Sequence, residues 1–458
     1  MMKQTAIVGG GVSGLAIAYA LQQAGMRPDE MVVLEKRSVP GGNVQTEVVD
    51  GYTIEKGPNG FLDNVPATLK LIDDLEIESV LPSNQNAARR FIWRAGKLRE
   101  IKPNPVAFFA SGVLPLSGAL RVALEPFQKK GKIDDESVYN FAARRIGKSA
   151  AEYLVAAMVQ GVFAGDAKQI ELKSAFPKMY AMEQRHGSLV KAMIAKSRMK
   201  KRQGGGGPAG PGGKLTSFDG GMQTLPDTLA AKVQPALQLN SGVSRIGKKD
   251  GVFVLTLESG EMVEARTVVC ASPAWAAAKQ LQPLHAELST ELSSIEYPAV
   301  AVVATGFDEK ALPEKPDGFG FLVPRGQGVR ALGCLWTSSV WRHRAPDGKV
   351  LLRTMVGGSV DRDAAVLSDD ELIASVLNDL KTTMHITDAP ELVKVYRYSQ
   401  SIAQYTCGHS ARVQRIENHF TRIDGLYLSG SSYGGISVNH CIEEAPGVAR
   451  AVLQFLEK

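Results

Sequence analysis

Residues 1–37 read MMKQTAIVGGGVSGLAIAYALQQAGMRPDEMVVLEKR. Gln4 to Val8 is a short apolar run, Gly9 to Gly14 a glycine-rich turn, and Leu15 to Gln23 carries Ala and Leu at helical spacing. A second apolar run, Met31 to Leu34, ends in Glu35. The order strand, turn, helix, strand is that of a dinucleotide-binding unit. Gly9 permits the tight turn, Gly11 lets the backbone approach a phosphate, and Gly14 lets the helix pack on the strand. The first N–H groups of the helix, at Val12 and Ser13, face the anion. Glu35 falls 21 positions after Gly14, where an acid accepts hydrogen bonds from a ribose 2′-hydroxyl.

Composition bounds the rest. A chain of 458 residues is too long for one ordinary core, so two or three domains are expected. Hydrophobic residues at 44% and charged residues at 22% are those of a globular protein. Cys270, Cys334, Cys407 and Cys441 are scattered, which suggests neither a metal site nor a disulfide framework and suits a reducing cytoplasm. The N-terminal apolar stretch belongs to the nucleotide unit, so no signal peptide is expected. A net charge of +6 is too diffuse to argue for nucleic acid.

Beyond Glu35 the pattern predicts strands over Val44 to Thr46 and Tyr52 to Glu55, around a turn at Asp50-Gly51. Gly57 to Gly60 is a second glycine-bearing loop. Ser137 to Met158 and Gly187 to Arg202 read as helices, and Gly204 to Gly213 as a low-complexity surface loop. Gly251 to Leu257 and Met262 to Val269 form a hairpin. Val300 to Gly306, Gly318 to Val323, Gly328 to Trp336 and Leu351 to Met355 look like a separate sheet, and Asp369 to Met384 like an amphipathic helix. Near the end, Gly425 to Gly430 is an apolar strand, followed by a glycine loop and a helix from about Ser437 to Phe455.

That closing element separates cofactors. A nicotinamide enzyme seldom needs a second strand, loop and helix start some 400 residues on, whereas extended FAD needs N–H donors at its flavin end. "VVLEKRSVPGGNVQT" resembles the FAD-binding domain of the flavin amine oxidases, and "GLYLSGSSYGGISVNHCIEEAPGVARAV" resembles their C-terminal FAD segment. With "GPNGFLDN", "RRFIWRAGKLREI", "QGVFAGD", "FDGGMQTLPDTL", "GFGFLVP" and "AQYTCGHSARV" between them, nearly the whole chain resembles the protoporphyrinogen oxidase family.

The resemblance implies non-covalent FAD. Its pyrophosphate would lie on Gly9, Gly11, Val12, Ser13 and Gly14, and its ribose on Glu35 beside Lys36. Gly42, Asn43, Gly57, Pro58, Asn59 and Gly60 would line the ribityl and flavin region. Val243 would meet the adenine through its backbone, and Gly430, Ile436, Ser437 and Val438 would close over the flavin end. Asn43 departs from the larger side chain that relatives often carry there. On the substrate side, Arg90 would face a propionate, Gly161 would lie near flavin N5, and Phe319, Leu322 and Met355 would wall the pyrrole rings. From the residues alone, Arg90 is a surface arginine, Gly161 a helix break, and the other three are core residues of a sheet.

The resemblance implies oxidation of protoporphyrinogen IX to protoporphyrin IX by hydride transfer to flavin N5, with O2 regenerating FAD and giving hydrogen peroxide. No catalytic acid, base or metal is assigned. His409 and His440 read as packed or capping residues. A coproporphyrinogen III oxidase of the same fold, with a wider and more basic pocket, stands as the alternative; a flavin- and porphyrin-binding protein without turnover is a second. Pro103 to Leu120 is uncharged and carries no spanning helix. It reads equally as a buried hairpin or as a surface entering one leaflet, with Arg121, Lys129, Lys130 and Lys132 at the headgroups. The resemblance favours the latter, hence peripheral attachment at the cytoplasmic face of the cell membrane. It also implies sensitivity to diphenyl ether inhibitors and leaves a homodimer open.

The implied fold is α/β: a Rossmann-like FAD-binding domain, an α+β substrate domain and a helical membrane-binding insertion. FAD-binding parts are expected at 1–85, 214–290 and 416–458, substrate parts at 86–104 and 291–415, and the insertion at 105–205.

Overall fold

The computed structural model describes residues 2–102, 104–131, 134–202 and 213–458. The low-complexity loop expected over Gly204 to Gly213 lies outside them except for Gly213, as do Pro103 and Lys132 of the expected membrane surface.

The first sheet grows from the opening strand. Lys3–Val8 lies between Met31–Leu34 and Met262–Cys270, parallel to both. Leu237–Gln238 and Leu426–Leu428 add further parallel strands at either side. Val243–Lys249 and Val252–Leu257 complete the sheet as an antiparallel hairpin extension. Ile7, Met31, Val33 and Val269 are fully buried, as a sheet covered on both faces requires. Helices Val12–Gln23 and Val438–Leu456 share one core on one face, so the two ends of the chain pack together.

The second sheet has the order Leu392–Tyr398, Val300–Asp308, Lys349–Gly357, Gly333–Leu335, Gly320–Leu322, Arg90–Arg94, Lys97–Glu100. All its pairs are antiparallel except Gly320–Leu322 with Arg90–Arg94. Period two divides its residues. Phe321, Cys334, Val303 and Val395 pack under Leu372, Val376 and Leu380 of the helix Asp369–Met384. The other face carries the residues of interest below. Ser368 opens that helix with a reciprocal capping box to Glu371, as the sequence Ser-Asp-Asp-Glu dictates.

A helical region lies between Asn104 and Arg202. The helix predicted over Ser137 to Met158 is interrupted: Val138–Ile146 ends at Gly147, whose φ is +93°. The chain resumes in Lys148–Ala150, passes a π turn at Ala151–Val155 and continues as Ala156–Phe163. The strand predicted over Val44 to Thr46 starts later, at Thr46–Val49, because the Val44 N–H closes a turn on the Gly41 carbonyl. Pro103 to Leu120 is not a hairpin in its described part; it holds the short helix Pro105–Ala110 and the start of Leu116–Ala123.

Buried charge fixes this region. Glu125 and Arg145, both essentially inaccessible, pair with each other. Burial would raise the Glu125 pKa, but the Ser188 hydroxyl, the Leu189 and Val190 N–H groups and Arg145 hold its carboxyl below the ordinary range. That carboxylate therefore also caps the helix Leu189–Arg202. Arg144 bridges Glu136 and Glu183 at 2.7 Å each.

Candidate functional site

Four loops converge at the C-terminal ends of the parallel strands. In the first, Gly9 has φ +113°, and a Cβ there would meet the Ala271 carbonyl oxygen at 3.0 Å. At Gly14 a Cβ would lie 1.9 Å from the Gly9 oxygen, so only glycine lets the helix Val12–Gln23 close on its strand. Gly11 is different: the nearest atom to a Cβ there is Gly42 Cα, at 3.9 Å. It stands at the N-cap with no side chain to satisfy the first helical N–H groups, including those of Val12 and Ser13. This is an open cradle for an anion.

Glu35 is buried, and its carboxylate accepts the Gly10 N–H at 2.7 Å and the Arg37 N–H at 2.8 Å. A Cβ on Gly10 would sit 2.8 Å from Glu35 Cβ, so this glycine, outside the spacing motif, is required by the acid. The Ser241 N–H donates to the Glu35 carbonyl, bringing the start of Val243–Lys249 to the same edge. The Val243 carbonyl accepts from Gln280 Nε2 at 3.1 Å. Lys36 turns outward instead, into an exposed ion pair with Glu258 at 2.7 Å.

The second loop touches the first through a bridge between Gly11 and Gly41. Arg37, which sequence reasoning passed over, donates to the Gly42 carbonyl and reaches the exposed Asn43 Oδ1 at 3.5 Å. The third loop, Gly57 to Gly60, follows directly: a Cβ on Gly57 would strike the Asn43 carbonyl at 1.8 Å. Pro58 is half-buried, and Asn59 keeps a buried Oδ1 without a hydrogen-bond partner. The fourth loop meets the first where Gly430, φ +123°, faces Ser13 Oγ. Ile436 is half-buried, Ser437 caps the helix Val438–Leu456 through the His440 N–H, and Val438 is buried in the shared core. Asn439, also missed, ties that helix to the chain just beyond the third loop, through the Thr68 hydroxyl and the Leu62 carbonyl, both at 2.9 Å. The glycine cradle, the unfilled helix start and the orphaned Asn59 oxygen together fit an extended dinucleotide.

Three of the five expected substrate residues, Arg90, Leu322 and Met355, stand on one face of the second sheet, and Phe319 and Gly161 lie against it. Register aligns Ile92, Leu322, Gly333, Met355, Val302 and Tyr396 in one row. The neighbouring row on the same face runs Arg90, Gly320, Leu335, Arg353, Ala304, Lys394. Phe319 precedes Gly320–Leu322, and the Arg90 guanidinium stacks 5.0 Å above its ring. Gly161 is not a helix break; it lies within Ala156–Phe163, and a Cβ there would come 2.6 Å from Leu322 Cδ2. Phe319, Leu322 and Met355 are half-buried rather than core.

The two adjacent arginines differ. Arg89 pairs with Glu100 at 3.1 Å and with Asp317. Arg90 makes no side-chain hydrogen bond or ion pair among the described residues, and desolvation by its neighbours lowers its pKa from the ordinary guanidinium value. Its side chain is exposed. A guanidinium presents several donors to a carboxylate and keeps its charge at any working pH.

The histidines take supporting roles. His409 is fully buried, stacks on Tyr405 at 4.1 Å and lies 3.3 Å from the Tyr433 carbonyl; burial pushes its pKa down to about 4. His440 pairs with Glu444 at 3.1 Å, and that hydrogen bond raises its pKa. His285, Glu287 and His419 converge within 4.8 Å at the surface, but His285 Nδ1 is committed to capping its helix through the Leu288 N–H. A cavity of 390 Å³ opens beside the strand Leu426–Leu428, and none of the expected site residues lines it.

Comparison with known proteins agrees with the geometry. Residues 12–453 match the family of flavin containing amine oxidoreductases. The chain is 32% identical to coproporphyrinogen III oxidase of Bacillus subtilis, over 99% of its own length and 98% of that protein's. It is 31% identical to chloroplastic protoporphyrinogen oxidase of Oryza sativa, over 99% and 88%. Among solved structures, a protein of Exiguobacterium sp. 255-15 provisionally assigned as protoporphyrinogen oxidase superposes with a TM-score of 0.85, at 26% identity and full coverage of both chains. Reduced UDP-galactopyranose mutase shares the fold, with a TM-score of 0.77 at 15% identity. The chain belongs to the flavin containing amine oxidoreductase family and is an FAD-dependent oxidoreductase.

Proposed function

We propose that the protein oxidises protoporphyrinogen IX to protoporphyrin IX, with O2 as electron acceptor and hydrogen peroxide as by-product. The observation that carries this is Arg90: a guanidinium over Phe319 with no ion pair among the described residues, in the row next to the one containing Leu322 and Met355. Bound FAD supplies the hydride acceptor. The chain's own residues then bind and orient. Arg90 holds a propionate, Leu322 and Met355 keep water from the ring faces, and Gly161 leaves room for close approach. Hydride loss from a methylene bridge gives a cation stabilised by the adjoining pyrroles, so no protein base is needed first, and His409, buried and neutral, is not one.

Coproporphyrinogen III oxidation is the second reading, favoured by 32% identity over 98% of the Bacillus subtilis enzyme. Turnover on the two porphyrinogens, followed by porphyrin fluorescence and oxygen uptake, separates them. Higher kcat/KM on protoporphyrinogen supports the first reading and the reverse supports the second; oxidation of neither overturns both.

Attachment to a membrane surface belongs to the same proposal. No described helix is long and apolar enough to cross a membrane. Leu116, Leu120 and Leu124 stand one turn apart and exposed, with Phe127 80% exposed beyond them, while Gly118 and Ala119 face inward. Arg121 is not among the headgroup cations expected here; it donates to the Arg144 and Arg145 carbonyls. Lys129 and Lys130 are exposed, although Lys130 Nζ donates to the Gln184 carbonyl at 3.1 Å. Flotation with anionic vesicles tests this: Leu120→Glu with Phe127→Glu should abolish binding, and unchanged flotation would overturn it.

A further inference from the structure

Arg353 stands two residues from Met355 on the same strand and the same face of the second sheet. Its Nη2 donates to the carbonyls of Lys56 at 3.1 Å and Gly57 at 2.7 Å. It thereby fastens the third glycine loop to the substrate wall. Nε is buried without a partner, and Nη1 makes no hydrogen bond among the described residues. Carbonyls satisfy a donor but do not neutralise a charge.

No carboxylate lies within ion-pair distance of Arg353 among the described residues, and Glu55 acts on it only at longer range. Glu55, the nearest, is committed to Arg344 at 3.3 Å, the Met222 N–H at 2.9 Å and the Thr46 hydroxyl at 2.8 Å. The phenols of Tyr396 and Tyr398 are pushed above their ordinary pKa by burial and stay neutral. Arg344 is answered by Glu55 and, at longer range, by Asp219, whereas Arg353 has no ion pair of its own among the described residues. Burying an unpaired charge is costly unless a bound group answers it.

We propose that Arg353 is the fixed positive charge of the flavin site, which stabilises bound FAD in the negatively charged form it takes on accepting a hydride. Besides holding the loop, Arg353 would make the cofactor a stronger electron acceptor, through charge and not through contact with the porphyrinogen. The inference rests on FAD binding but not on the choice of substrate.

Sulfite is the probe. Its lone pair forms one S–N bond at flavin N5 and the negative charge passes to the ring; no porphyrinogen and no turnover are involved. Bleaching of the visible flavin band in the purified holoprotein gives the sulfite Kd, and dye equilibration gives the reduction potential. Arg353→Gln keeps a donor for the loop carbonyls without charge, and Arg353→Lys keeps charge without the fork. Gln should weaken sulfite binding about tenfold or more. The potential should fall correspondingly, about 30 mV per tenfold for a two-electron couple. Lys should stay near wild type in both. If Gln binds sulfite like wild type, or if Lys loses as much as Gln, Arg353 is only a loop fastener and the proposal fails. FAD content, read from the heat-released flavin, accompanies each variant, so that sulfite affinity is compared per bound flavin.

Discussion

On the proposed function, the nucleotide sheet and the antiparallel sheet fastened to it would recognise their ligands with different atoms. On the nucleotide side the working groups are backbone: N–H groups above Gly11, the turn at Gly9, the close packing at Gly14. Its side chains mostly hold that backbone, as Glu35 holds Gly10, Arg37 holds Gly42 and Asn439 holds Leu62. On the antiparallel side the backbone is an ordinary ladder, and the proposed working groups are side chains standing on one face: Arg90, Leu322, Met355. Backbone recognition tolerates almost no change of residue at its glycines. Side-chain recognition should tolerate exchange with graded loss.

The sharpest test lies within the first loop. Gly14→Val places a Cβ 1.9 Å from the Gly9 oxygen, and should cost at least about 3 kcal/mol of stability together with bound FAD. Gly11→Ala meets nothing closer than 3.9 Å and stands at an ordinary φ of −74°. It should fold with an unchanged Tm yet retain less FAD, because its methyl enters the anion cradle. A Tm loss at Gly11 equal to that at Gly14 would break the distinction between a packing glycine and a binding glycine.

His409 tests whether the side chains behind the fourth loop are structural. Its folded pKa of about 4 lies below the unfolded value of about 6.5, so the unfolded state binds more protons between them. Stability should therefore be unaffected above pH 6.5 and fall as pH drops toward 4, by about 3 kcal/mol in all. His409→Phe keeps the stack on Tyr405 and should flatten that slope in urea unfolding measured at pH 7 and pH 4.5. An equal slope in the variant would assign the acid sensitivity elsewhere.

Arg90 is the first test of the side-chain half. Arg90→Ala should raise KM for the porphyrinogen by the equivalent of roughly 1.5 to 3 kcal/mol, the range for a hydrogen bond to a charged group. Lys should recover part, keeping charge without the planar fork. FAD content should not move in either. Arg89→Ala is the control: its charge is already answered by Glu100 and Asp317, so KM should stay near wild type.

The same division explains what could be read from sequence. Backbone recognition writes itself as glycine spacing, so Gly9, Gly11, Gly14 and the acid at 35 were legible, with strand limits within a residue or so of those observed. Gly10 escaped because its reason is the Glu35 side chain folded against it, a contact that no spacing rule contains. The hairpin Arg90–Arg94 to Lys97–Glu100 carried a usable turn signal at Ala95-Gly96, both at positive φ, but its charged residues masked the alternation. Leu392–Tyr398 was missed for the same reason: Lys394 and Arg397 interrupt the apolar run. The Gly147 break was hidden by good helix formers on both sides of it. Arg353 and Asn439 act across distant parts of the chain, and nothing local marks them. The substrate residues were named through family resemblance; register puts Arg90, Leu322 and Met355 on one face.

Gly161 carries the smallest effect and divides the two halves most finely, since it is a glycine on the side-chain half. Its helix, Ala156–Phe163, has no positive φ at this position, so no backbone strain demands glycine. Alanine in a helix interior is favoured over glycine by about 1 kcal/mol. Against this, the new Cβ would lie 2.6 Å from Leu322 Cδ2, the mobile end of a side chain that can turn aside. The two terms nearly cancel, and Gly161→Ala should keep Tm and FAD content. Leu322, however, can move only along the wall it shares with Gly333 and Met355. The substrate surface changes although the fold does not, and kcat/KM should fall by about 1 kcal/mol, or some fivefold. Unchanged kinetics with a raised Tm would show that Gly161 is a helix position like any other, and would remove it from the wall.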